Sequence, residues 1–160
     1  MEGMTQFNKV HDILDFHVNK NPDSVTVSID NVDHKNNDLL SKVSSLVEFL
    51  KESEIKSGDR IAFLAKNSSE FIELMYASSM LELVMVPINF RLAYEEVKFI
   101  IKDSGSKIII FGEEFKELVE KLNADKTDLQ LSLGISELRN LLKSKSPGAF
   151  DVSLLSLIHI

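Results

Sequence analysis

The fold is decided by residues 58–92, GDRIAFLAKNSSEFIELMYASSMLELVMVPINFRL. RIAFLA (60–65) is a short, continuously apolar run, the pattern of a strand buried on both faces. In KNSSEF, Asn67 is placed to cap a helix and Glu70 sits three residues further on. The spacing predicts a helix from there to about Leu81. LVMVPI (83–88) then reads as another buried strand.

Working outward, the same alternation continues. Tyr94–Asp103 is expected to be helical, with Val97, Ile100 and Ile101 inward. SGSKIIIF reads as turn then strand. Glu113–Leu122 is helical, with Phe115, Leu118, Val119 and Leu122 on one face. Residues 123–134 are weakly patterned, and Ser136–Lys143 is a short helix capped by Ser136. Toward the N-terminus, Leu39, Leu40, Val43, Leu46, Val47 and Leu50 give the cleanest helical stripe in the chain. A turn, KSGDR, separates it from RIAFLA, with Gly58 free to take positive φ. Residues 6–20 read as an amphipathic helix broken at Pro22. VTVSID reads as a strand turning through DNVDH into a second short strand. The expected fold is α/β: part of a doubly wound, mainly parallel sheet with flanking helices, preceded by an N-terminal helix and a β-hairpin.

Composition removes whole classes of function. The 160 residues carry a net charge of −7, which argues against nucleic-acid binding. There is no Cys, so disulfides, thiolate zinc sites and cysteine nucleophiles are excluded, and a cytoplasmic location is expected. Residues 1–8 lack the pattern of a secretory signal, and the longest apolar run, 83–88, is far too short to span a bilayer.

A more specific signal comes from four segments in order: the opening helix–hairpin, residues 46–80, VMVPINFRL (84–92) and YEEVKFIIKDSGSKIIIF (94–111). Its core is Gly58-Asp59-Arg60, Asn67-Ser68, Val86-Pro87-Ile88-Asn89, Arg91-Leu92 and Asp103-Ser104-Gly105. Together they resemble the N-terminal region of AMP-forming acyl-CoA synthetases, of the adenylate-forming superfamily. Three positions depart from that pattern. Glu82 stands where a small residue is usual. Ala93 replaces a capping hydroxyl, at a cost of roughly 1 kcal/mol. Lys35 replaces the Thr that opens the long helix, so Asn36 or Asn37 is expected to cap instead.

The resemblance implies an enzyme that activates a carboxylic acid with ATP and Mg²⁺, giving an acyl-adenylate that coenzyme A thiol then attacks. It implies residues 1–154 as an incomplete N-terminal portion of the large adenylate-forming domain, since the Ser/Thr/Gly-rich loop ending in Pro-Lys-Gly is missing. SKSPGAF lacks that loop's hydroxyl–glycine run. FDVSLL looks like the lead-in to it. Residues 155–160, LSLIHI, match the in-frame translation of CTG TCT CTT ATA CAC ATC, a transposon mosaic-end adapter, and are expected to be a non-native tail.

No catalytic residue and no metal ligand is therefore expected here, and ATP, Mg²⁺ and coenzyme A are not expected to bind this chain alone. Arg91 is the candidate binding residue. The resemblance places it near the coenzyme A phosphates, and a structural ion pair with a neighbouring carboxylate is the alternative. His11 and His17, six apart on one helix, fall on different faces, so they and His34 read as surface or boundary histidines. Asp12/Asp15 and Glu95/Glu96 read as solvated helix faces and first-turn acids. Two other functions remain open: a short non-catalytic flavodoxin-like binding module, and a piece of another adenylate-forming enzyme such as a peptide-synthetase adenylation domain.

Overall fold

In the computed structural model, which describes residues 7–29, 31–125 and 127–144, the strand read from RIAFLA lies inside a four-stranded sheet. The chain runs α1 (His11–Lys20), β1 (Val25–Ile29), β2 (Val32–Lys35), α2 (Asn36–Glu52), β3 (Arg60–Leu64), α3 (Ser69–Met80), β4 (Val84–Pro87), α4 (Tyr94–Ser104), β5 (Ile108–Phe111), α5 (Lys116–Ala124), β6 (Leu131–Gly134) and α6 (Ile135–Ser144). β1 and β2 form an antiparallel hairpin. The main sheet has the order β4-β3-β5-β6, parallel throughout.

Period-two alternation along β3 explains its continuous apolar sequence. Ile61 and Phe63 join one core with residues of α1, α2, α3 and α6, and Ala62 and Leu64 join a second with α4 and α5. β5 divides the same way, with Ile108 and Ile110 on one side and Ile109 and Phe111 on the other. The fold is thus the expected α/β arrangement, with helices on both faces of a parallel sheet.

β4 differs from the expected buried strand. It has one neighbour, none of its four residues is fully buried, and Val84 is 49% exposed. Pro87 is tolerated because an edge strand need not donate on its open side. β6 arises from the weakly patterned region. Its signal is the alternation Leu129, Leu131, Leu133, and only Leu133 of the three is fully buried.

Helix starts also differ from the sequence reading. α1 begins at His11, because the Asp12 carboxylate accepts the N–H groups of Asn8 and Lys9 and closes a turn there. Asn36 is the first residue of α2 and does not cap it. Its side chain accepts from Thr26 Oγ1 and donates to the carbonyl oxygens of Asn21 (2.7 Å) and His17 (3.4 Å), tying α1, the hairpin and α2 together. Ser68, one residue after Asn67, is the N-cap of α3 and makes no side-chain cap bond. Ala93 precedes α4, and Glu96 Oε2 accepts its N–H at 2.8 Å, half of a capping box. Ser136 lies inside α6, where its N–H is met by Glu113 Oε1 at 2.9 Å. α5 starts at Lys116, after a single 3₁₀ turn at Glu113–Phe115.

Glu82, where the resemblance expects a small residue, sits at φ +55°. That left-handed conformation costs a non-glycine residue roughly 1 kcal/mol. Its carboxylate accepts from Lys9 Nζ at 3.0 Å and Ser57 Oγ at 3.2 Å, bonds that hold its pKa below the usual value. The side chain thereby links the start of α1 to the turn before β3.

Gly105 ends α4 at φ +59°, and the Arg60 guanidinium donates to the carbonyls of Ser104 (2.6 Å) and Gly105 (2.8 Å). A β-carbon there would stand 2.6 Å from Arg60 Nη2. Gly105→Ala is expected to destabilise the chain by about 1–2 kcal/mol, from the left-handed backbone and the disturbed Arg60 bonds. Urea denaturation would show it as a lower midpoint at unchanged slope.

Candidate functional site

Parallel strands gather their carboxyl ends at one edge, where ligands bind in open α/β sheets. Here the loops following β3, β4, β5 and β6 meet there. α3 leaves β3 toward one face and α5 leaves β5 toward the other, so the crevice lies between these neighbouring strands.

Acids line this carboxyl edge, Glu114 between β3 and β5 and Glu113 between β5 and β6. A β-carbon at Gly112 would meet Glu114 Oε2 at 2.6 Å, and one at Gly134 would meet Glu113 Oε1 at 2.8 Å. The two glycines therefore make room for the chain's own carboxylates. Glu114 also pairs with Lys66 at 3.6 Å. Among the described residues this edge offers phosphate no glycine-rich cradle of backbone N–H groups.

Arg91 stands on the exposed loop between β4 and α4. Asn89 Oδ1 accepts its backbone N–H at 3.0 Å, and the guanidinium lies 5.4 Å from the centre of the Phe90 ring. Among the described residues no carboxylate pairs with it, so the ion-pair alternative is not found. A small pocket of about 210 Å³ adjoins the loop, bounded by Lys66, Asn67, Asn89 and Phe90.

The other candidates have structural partners. His11 Nδ1 lies 2.9 Å from Ser79 Oγ, and Asp12 closes the turn before α1. Ligand-type atoms of His11, Asp12 and Asp15 fall within 4.8 Å of one another, a grouping that sequence spacing did not single out. Glu95 and Glu96 are exposed in the first turn of α4, Glu96 as a cap.

Sequence reading also passed over a buried ionic cluster. Glu70 and Glu73 share one face of α3 and are both buried. Glu70 pairs with Arg139 of α6, and Glu73 Oε1 lies 3.7 Å from Lys42 of α2. Lys42 Nζ is in turn 3.1 Å from His34 Nδ1. Two acids spaced i, i+3 among apolar residues in SEFIELMY were the available signal. Burial pushes the Glu73 pKa up, reinforced by Glu70 against the pull of Lys42. Burial, then Lys42 and Arg139, push His34 down from 6.5, opposed by Glu70 and Asp38.

The lowered His34 value has a sign. The unfolded chain takes up the proton first, so His34 favours folding above about pH 6.5, and that contribution is lost as pH falls toward the folded value. Glu73 acts oppositely, favouring folding as pH falls toward 4.5. Subtracting the stability–pH curve of His34→Gln from that of the wild type isolates the His34 contribution. The difference is expected to shrink as pH drops below about 6.5.

Comparison with known proteins adds the following. The AMP-binding enzyme family model matches residues 14–151. A long-chain-fatty-acid–CoA ligase, FadD13 of Mycobacterium tuberculosis, is 47% identical over 70 residues, 44% of this chain and 14% of that protein. A fatty acid–[acyl-carrier-protein] ligase, ScoC of Streptomyces coeruleorubidus, is 36% identical over 87 residues, 54% of this chain and 17% of that protein. Among solved structures, a fatty acyl CoA synthetase of M. tuberculosis superposes with TM-score 0.80 at 28% identity, over 90% of this chain and 30% of that one. The chain thus spans about one sixth of the length of the curated relatives it matches.

Proposed function

The chain belongs to the AMP-binding enzyme family, and from that premise we propose that it is the N-terminal part of an ATP-dependent carboxylate–CoA ligase. The observation that carries this reading is the family match over residues 14–151. The whole protein would join a carboxylic acid to AMP, release pyrophosphate, and pass the acyl group to the coenzyme A thiol. A cytoplasmic location agrees with the substrates. Among the described residues no helix is long and apolar enough to cross a membrane.

The described residues do not fit ATP. Their carboxyl-edge glycines are occupied by Glu113 and Glu114, and no Pro-Lys-Gly loop is present. Coenzyme A fits better at one point. Arg91 is exposed, has no carboxylate partner among the described residues, and offers planar paired donors suited to phosphate. Its role in this reading is to hold the coenzyme's phosphates on the β4–α4 loop.

Two measurements test the proposal. The product of the complete reading frame should catalyse carboxylic-acid-dependent exchange of pyrophosphate into ATP. Absence of exchange across short-, medium- and long-chain fatty acids and aromatic acids would contradict it. Calorimetry of the 160-residue chain with Mg·ATP should give only heat of dilution. A measurable affinity would show that this part holds nucleotide itself.

A further inference from the structure

A cavity of about 570 Å³ opens between β2, α2, α3 and α6, within the range of small-molecule sites. Charge is layered by depth in it. The side chains of Glu70 and Glu73 are 5% and 6% exposed, whereas those of Arg139 and Lys42 are 55% and 43% exposed. Acids thus make the floor and cations the rim, with Lys143 as a further rim cation. Ile29, Val32 and Leu142 supply apolar wall.

Two floor atoms lack partners. Glu70 Oε2 and Ser68 Oγ are buried without a hydrogen bond, although both residues line the cavity. An unpaired carboxylate oxygen out of water is costly, so a donor there is favoured. Both atoms are closed to water here. For a donor to reach them, the Glu70 carboxylate and the Ser68 hydroxyl must both turn toward the cavity.

We infer that this cavity is a binding site for a small zwitterion, in the simplest case an α-amino acid with an apolar side chain. Its ammonium group meets Glu70 Oε2 and Ser68 Oγ. Its carboxylate meets Arg139 and Lys143, and its side chain lies against Ile29, Val32 and Leu142. Two acids lie on the floor and three cations, Lys42, Arg139 and Lys143, on the rim, so a ligand carrying one charge alone would leave one of the two layers unmatched. A ligand with opposite ends, ordered as floor and rim require, does not. The inference is independent of the ligase reading, and either can fail alone.

NMR titration of the ¹⁵N-labelled full chain tests it, with L-leucine and its two half-probes, isoamylamine and isocaproate. Leucine should give saturable shifts at the amides of residues 68–73 and 139–143, and each half-probe should bind about tenfold more weakly or worse. Glu70→Gln should weaken leucine by about tenfold. No saturable shift at tens of millimolar leucine overturns the inference, as does isoamylamine binding as well as leucine. If Glu70→Gln does not fold, Ser68→Ala and Lys143→Ala carry the test. Each should weaken leucine severalfold with unchanged circular dichroism, and unchanged binding in both overturns the inference.

Discussion

Leu74→Ala lowers the free energy of unfolding by about 2–5 kcal/mol. Leu74 is fully buried on α3, in the core shared with residues of α1, α2, β3, β5 and α6. Truncation removes apolar surface from that core and leaves a cavity that neighbours on a rigid sheet fill only partly. A domain of this size has about 5–15 kcal/mol in total, so the variant stands close to unfolding. Urea denaturation followed by circular dichroism measures the loss. Phe99→Ala is the control, because Phe99 is 66% exposed and should change stability by less than about 0.5 kcal/mol. A loss below about 1 kcal/mol for Leu74→Ala would mean that α3 is not packed as described.

Replacing the Arg equivalent to Arg91 by alanine in a full-length homologue is expected to raise the KM for coenzyme A by about tenfold, with the KM for ATP and for the acid unchanged. The residue is exposed on the β4–α4 loop, and its truncation opens no core cavity. The bond from its backbone N–H to Asn89 Oδ1 survives the substitution, so the loop keeps its geometry. What is removed is the guanidinium, with its donors and its contact to the Phe90 ring. A charge-assisted hydrogen bond to phosphate contributes roughly 1.5–3 kcal/mol, enough for the tenfold effect. Lysine at the same position keeps the charge but loses the paired donors, so partial rescue is expected. An unchanged KM for coenzyme A would remove Arg91 from the site.

What the sequence showed and what it hid follow from the same physics. β3 and β5 were legible because burial on both faces leaves an uninterrupted apolar run. β4 carries the same kind of run, yet it is the edge of the sheet. An apolar run does not say how many neighbours a strand has, and Val84 is open as a result. β6 was missed because half its alternating positions are polar or part-exposed. At the start of α2 the N–H groups of Asn36 and Asn37 go to the carbonyls of Ser24 and Pro22, partners outside the helix that local capping rules do not anticipate. The Glu70–Glu73 cluster was hidden because its partners, Lys42 and Arg139, come from α2 and α6 and meet only in the fold. Arg91 enters as a candidate through resemblance alone, since nothing in its spacing marks it. The readings of residues 145–160, including the FDVSLL lead-in and the adapter-like LSLIHI, lie outside the described residues.

The central claim, that this chain opens a carboxylate–CoA ligase, is tested most directly by sequencing the genomic locus through and beyond codon 160. The account predicts a frame that continues from FDVSLL into a hydroxyl- and glycine-rich loop ending in Pro-Lys-Gly, with codons other than the adapter's at 155–160. A stop codon directly after Ile160 in intact genomic DNA would contradict it and leave a short, non-catalytic α/β module.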